Sequence, residues 1–158
     1  MLLTHFNTID PNLVSLMVEA AQNARMNAYA PYSRYLVGAA IVTRSGKIYA
    51  GCNVECADYD GTHAEEAAIS SMVTRGERSP TLIVALGGLD GTTATSVSPC
   101  GKCRQKLYEF YSLNMPSPLN VLDINPDGTL SGFKRISDLL PGAFGPADLG
   151  VNLAKYRR

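Results

Sequence analysis

The chain has 158 residues, 46% of them hydrophobic, and its 14 basic residues balance 14 acidic ones. That length fits one compact domain over residues 1–158 with a buried core, and a second folded domain is not expected. Net neutrality gives no sequence-wide attraction to a polyanion, so nucleic acid is not an expected partner. No apolar run approaches the roughly 20 residues that cross a bilayer, and Met1-Leu2-Leu3-Thr4-His5 lacks the charged-then-apolar order of a leader. A cytoplasmic protein without membrane contact is expected.

Asp10 followed by Pro11 reads as an N-cap and a first helical residue, after which Leu13, Leu16, Met17, Ala20, Ala21 and Ala24 recur at helical spacing. This predicts a helix of about four turns ending before Pro31. Val, Ile, Ala and Tyr residues around Ser45-Gly46 predict a hairpin over residues 35–52. Helix formers over 64–73 end near Gly76, and Leu82-Ile83-Val84-Ala85-Leu86 before Gly87-Gly88 has the length and composition of a buried strand. Another helix is expected over 101–111, a break at Pro116 and Pro118, a strand over 119–124 and a turn at Asn125-Pro126-Asp127-Gly128. The order α-β-β-α-β-α-β predicts an α/β fold with helices covering a mixed sheet. The first residues, the connection 87–96 and the segment after Leu149 are expected to be loose, with Lys155-Tyr156-Arg157-Arg158 a solvated tail.

Chemistry concentrates in two short segments. Thr62-His63-Ala64-Glu65 offers an imidazole and, two residues on, a carboxylate, while Ser98-Pro99-Cys100-Gly101-Lys102-Cys103 offers paired thiols. Either half alone is weak, since C-x-x-C also serves redox and structural zinc sites. Joined, H-x-E and P-C-x-x-C form the pattern of zinc-dependent nucleobase deaminases, which points to hydrolytic deamination. His63, Cys100 and Cys103 supply three ligands of a tetrahedral zinc and leave the fourth position to water, the layout of a catalytic site. Zinc lowers the pKa of such a water to about 7. If both halves open helices, free N–H groups and the dipole favour thiolate there. Glu65, about 200° round a helix from His63, is then free to face substrate and is the expected general acid/base. Zinc is preferred to a disulfide for Cys100 and Cys103. Cys52 and Cys56 read as small, partly buried residues flanking the entrance, and His5 as an exposed terminal side chain.

With these motifs stand Tyr29-Ala30-Pro31-Tyr32-Ser33-Arg34-Tyr35-Leu36-Val37-Gly38, Gly51-Cys52-Asn53-Val54-Glu55, Cys103-Arg104-Gln105 and Leu139-Leu140-Pro141-Gly142-Ala143-Phe144-Gly145-Pro146. Over residues 13–151 the chain resembles the cytidine deaminases, in length their short, homotetrameric branch. The resemblance implies a three-layer α/β/α fold with a mixed five-stranded sheet and one zinc per chain. It implies conversion of cytidine or deoxycytidine to uridine or deoxyuridine with release of ammonia, in pyrimidine salvage. Asn53 and Glu55 match residues that hold the ribose, for which an amide and a carboxylate offer the needed donors and acceptors. Tyr35 stands where the family usually packs a phenylalanine on the pyrimidine. Ala64 and the Ser98 carbonyl complete the substrate contacts, and Tyr59 and Phe144 match residues given to a neighbouring subunit's site.

The chain departs from the family pattern at three places. Residues 53–63 form a stretch one residue shorter than usual in the short enzymes, and Cys56 replaces the common asparagine, so the pocket wall and the substrate it selects are open. A deaminase of another aminopyrimidine nucleoside, such as blasticidin S, is the enzymatic alternative, and a non-catalytic zinc-binding module the alternative of a different class. The short enzymes commonly use three cysteines and an arginine after the catalytic glutamate, whereas His63 and Glu66 occupy those places here. A neutral imidazole and two thiolates already balance a zinc dication, which makes an arginine unnecessary. Glu66 is then expected near the ligands, paired with Arg104 or another cation.

Overall fold

The computed structural model describes residues 9–157, so His5 lies outside the described residues. Helix α1 (Pro11–Arg25) starts as its sequence predicts, with Asp10 accepting from the Asn12 N–H at 2.9 Å and proline in the first turn. Strand β1 (Tyr35–Thr43) turns through Ser45-Gly46, where Gly46 takes a φ of 81°, into antiparallel β2 (Ile48–Cys52). There follow α2 (Ala64–Thr74), β3 (Pro80–Leu89), the short β4 (Thr95–Ser96), α3 (Gly101–Asn114), β5 (Asn120–Ile124), β6 (Leu130–Arg135) and α4 (Ile136–Leu139). Short 3-10 helices at Pro146–Leu149 and Leu153–Tyr156 end the described chain.

The sheet runs β2-β1-β3-β5-β6, with β3 and β5 parallel, the other neighbours antiparallel, and β4 paired to β3 beside this path. Alternation along the central strands explains the layers. Ala39, Ile41, Ile83, Ala85 and Val121 pack with Ala68, Met72 and Leu107 of α2 and α3. The intervening Ala40, Val42, Leu82, Val84 and Leu122 pack with Val14, Met17 and Ala21 of α1. Because β1 and β3 are covered on both faces, their sequences read as near-continuous apolar runs. The result is the expected three-layer α/β/α fold with a mixed sheet whose main path has five strands.

Two glycines let the helices lie close. A Cβ on Gly38 would stand 1.9 Å from the Ala21 carbonyl oxygen, and one on Gly51 would stand 2.4 Å from the Ala68 nitrogen. The second contact presses the first turns of α2 against the end of β2, which places His63 beside the sheet.

Three expectations change. Strand β3 runs through Gly87-Gly88 to Leu89, because β1 pairs with it continuously from Val42↔Leu82 to Tyr35↔Leu89. The connection 87–96 is pinned: β4 pairs back onto Leu86 and Gly87, and buried Arg25 donates to the carbonyls of Leu36, Gly88, Leu89 and Thr92. Within the basic end, whose Arg158 lies outside the described residues, Arg157 is docked, donating from Nε to the Leu113 carbonyl at 2.6 Å and from Nη2 to that of Met115 at 3.3 Å. Those carbonyls belong to the end of α3, which needs donors from outside its own ladder. Strand β6 and α4 were not expected; β6 carries Gly132, Lys134 and Arg135 and is mostly half-buried or exposed, which hides it from a reading based on apolar runs.

Candidate metal centre and active site

Two helix starts meet at the motif residues. His63 is the N-cap of α2 at φ −81° and ψ 155°, and Cys100 is the N-cap of α3 at φ −69° and ψ 171°, with Cys103 one turn further on. The His63 Nδ1 lies 3.3 Å from the Cys100 sulfur and 3.3 Å from the Cys103 sulfur, and all three ligand atoms fall within 4.8 Å of one another. A tetrahedral zinc with bonds of about 2.3 Å to sulfur and about 2.0 Å to nitrogen sets sulfur–nitrogen edges of about 3.5 Å, so the spacing fits.

The electrostatics fit too. Burial, first, and then the charges of Glu65 and Cys100 push the Cys103 thiol far above the ordinary thiol range. Cys103 is wholly buried, and desolvation opposes the thiolate that a helix start favours. A dication between the sulfurs reverses that balance. The donor set is one that calls for zinc.

Glu65 is buried in the first turn of α2. His63 stands outside the helix as its cap, so the pair is not set by a simple helical rotation. Glu65 lines a cavity of about 310 Å³ together with Tyr35, Asn53, Ala64, Ser98, His63 and Cys100. The Tyr35 ring crosses β3 over a glycine: a Cβ on Gly87 would meet the ring at 2.8 Å. The Asn53 side chain accepts from the Val37 N–H at 2.8 Å and donates to the Tyr35 carbonyl at 2.9 Å, which fixes the end of β1. An amide so engaged still has a second N–H and a second carbonyl lone pair to offer.

Glu55, Tyr59 and Cys56 line a neighbouring cavity of about 450 Å³ that shares Asn53 and His63 with the first. A hydrogen bond from the Ser33 side chain, aided by the backbone N–H groups of Tyr32 and Ser33, holds the Glu55 carboxyl below its ordinary range against the opposing effect of burial. Cys52 is half-buried as expected, but Cys56 is exposed, because residues 56–59 turn outward through a Tyr59 N–H to Cys56 carbonyl bond. Tyr59 is 89% exposed at a φ of 63°, with its ring 6.2 Å from that of Tyr32. A non-glycine residue in that region is uncommon. Phe144 does not join these cavities within one chain; it is exposed, lines a separate cavity with Glu109, and has its carbonyl held by Gln105.

Around the ligands, Arg104 braces the thiol segment, donating to the Pro99 carbonyl at 2.7 Å, the Ser98 Oγ at 3.2 Å and the Leu139 carbonyl at 3.2 Å. Glu66 pairs not with Arg104 but with other cations, the second of the two expected arrangements. Its Oε2 accepts the His63 N–H at 2.8 Å, and its Oε1 forms ion pairs with Lys106 and Lys102. Lys102, Lys106 and Asp60, which pairs with Lys102 at 3.4 Å, escaped the sequence reading. The i, i+4 spacing of two lysines on one helix was the available signal.

Residues 11–115 match the family described as the cytidine and deoxycytidylate deaminase zinc-binding region. The chain is 38% identical over 137 residues to a cytidine deaminase of Sporosarcina psychrophila, a match covering 86% of this chain and 94% of that protein. It is 35% identical over 135 residues to a cytidine deaminase of Halalkalibacterium halodurans, covering 85% of this chain and 96% of the relative. The crystal structure of a cytidine deaminase from Burkholderia pseudomallei superposes with a TM-score of 0.68 at 39% identity, covering 82% of this chain and 97% of that one.

Proposed function

The chain belongs to the cytidine and deoxycytidylate deaminase family, and from that premise we propose that it hydrolyses the exocyclic amine of cytidine or deoxycytidine, giving uridine or deoxyuridine and ammonia. One observation carries the reading: His63 and Cys100 of the grouped His63, Cys100 and Cys103 donor set line the same cavity as the buried Glu65.

His63, Cys100 and Cys103 hold the metal, which when bound supplies a Lewis acid that makes water nucleophilic near neutral pH. Glu65 accepts a proton from the attacking water and delivers it to the ring nitrogen beside the attacked carbon. It then moves a second proton to the departing amine, so that ammonia leaves and the carbonyl of the product forms. The Ser98 carbonyl accepts from that amine, Ala64 meets the base edge, and the Tyr35 ring packs on the pyrimidine. Asn53 offers its remaining amide valences to the ribose, and Glu55, held ionised by its Ser33 bond, accepts from a sugar hydroxyl. Arg104 holds the Ser98-Pro99 turn in place for these contacts.

The buried Glu65 also distinguishes this reading from a non-catalytic zinc module, which has no use for a proton carrier at that position. A panel of cytidine, deoxycytidine, free cytosine and blasticidin S, followed by absorbance, tests substrate choice. Turnover of the two cytidine nucleosides with little for cytosine is expected, because cytosine forfeits the contacts of Asn53 and Glu55. Turnover of blasticidin S alone would transfer the assignment to that substrate and to the altered 53–63 stretch.

Exposed Tyr59 and Phe144 support a homotetramer in which each chain completes a neighbour's site. Light scattering is expected to give four chains per particle at assay concentration; a fully active monomer would contradict shared sites. The setting we propose is cytoplasmic pyrimidine salvage, and among the described residues no helix is long and apolar enough to cross a membrane.

A further inference from the structure

We propose that Glu66, gripped by Lys106 and Lys102, is a positioning residue that ties the ligand-bearing starts of α2 and α3 together, and that retention of zinc depends on it. The inference rests on reading His63, Cys100 and Cys103 as the zinc site.

The geometry is specific. Glu66 is 7% exposed, and its two oxygens serve different helices. Oε2 accepts from the backbone N–H of His63, the ligand that caps α2, at 2.8 Å. Oε1 faces the ammonium of Lys106 and, at 3.6 Å, that of Lys102, both on α3. Lys102 stands between the two cysteine ligands in sequence, and Lys106 follows one turn later. A single carboxylate therefore joins the backbone of one ligand to the helix that carries the other two.

Exposed ion pairs contribute little to stability, but this carboxylate is buried, and loss of a partner leaves a charge with poor solvation beside the ligands. Groups that orient metal ligands from outside change metal affinity by about 10- to 100-fold when removed. Lys106 gives the cleaner test, because Lys102 also pairs with Asp60 on the outward turn that bears Tyr59.

The experiment uses full-length, zinc-loaded parent, Glu66→Gln, Lys106→Met, Lys106→Arg and the Glu66→Gln/Lys106→Met double variant. Zinc transfer to a chromogenic chelator gives the release rate, and visible absorption of the cobalt(II)-substituted proteins reports ligand geometry. Glu66→Gln and Lys106→Met are expected to release zinc about 10-fold or more faster and to shift the cobalt bands. Lys106→Arg should restore parent behaviour, and the double variant should be non-additive, since both exchanges break one contact. If Glu66→Gln fails to fold, the contrast between Lys106→Met and Lys106→Arg decides. Parent-like release and cobalt spectra in the folded variants overturn the proposal, as does a loss of thermal stability in metal-free protein with release unchanged. A parent that binds no zinc overturns the metal reading itself, and this inference with it, and is seen before any variant is compared.

Discussion

Glu65→Gln is expected to keep its zinc and its fold while losing about 10²-fold or more in kcat. The carboxyl is buried in the first turn of α2, opens into the cavity shared with His63 and Cys100, and is not one of the grouped ligands. The amide of glutamine is close in size and can still hydrogen-bond, but it cannot accept and return a proton. Metal content, circular dichroism and steady-state kinetics on the purified variant check this. Loss of zinc would make Glu65 a ligand, and parent-like turnover would remove it from proton transfer.

Cys103→Ser is expected to lose zinc and turnover together. Its sulfur lies 3.3 Å from His63 Nδ1 in a wholly buried position, and a serine hydroxyl there has no accessible anionic form with which to replace a thiolate. Zinc affinity should fall by more than about 100-fold, the upper end of what removal of mere outer partners costs. Zinc content after dialysis against a weak chelator, with kcat on the same samples, separates this variant from Glu65→Gln: one retains metal without turnover, the other retains neither. Full zinc in folded Cys103→Ser would show that the thiol is not a ligand.

What was legible in the sequence depended on how local each signal was. The cap and proline at Asp10-Pro11, the Ser45-Gly46 turn and the two motif segments are short-range patterns, and the structure places helix starts and the hairpin at those positions. The ligand set was readable because the chemistry fixes residue types, although the folding that brings His63 to Cys100 and Cys103 was not. Features set by tertiary contacts were lost. Nothing in Arg25 itself shows that it will hold four carbonyls of the β1 and β3 ends, nor in Arg157 that it will close the last turn of α3. Strand β3 passes through two glycines because β1 pairs beside it and Tyr35 lies over Gly87, neither of which is local. Charge balance points to a cation beside Glu66, Arg104 or another, and the lysines are that other cation; it shows neither the hold on the His63 N–H nor that Arg104 braces backbone carbonyls. An arginine at position 66 is expected to disturb the site, since it would face Lys102 and Lys106.

Zinc titration of metal-free protein, with cytidine loss followed continuously by absorbance, tests the central claim most directly. Activity should be absent at the start, rise in proportion to added zinc, and level off at one zinc per chain with uridine and ammonia formed in equal amounts. Cytidine turnover by rigorously metal-free protein, or a fully zinc-loaded protein that leaves cytidine and deoxycytidine unchanged, would contradict the account.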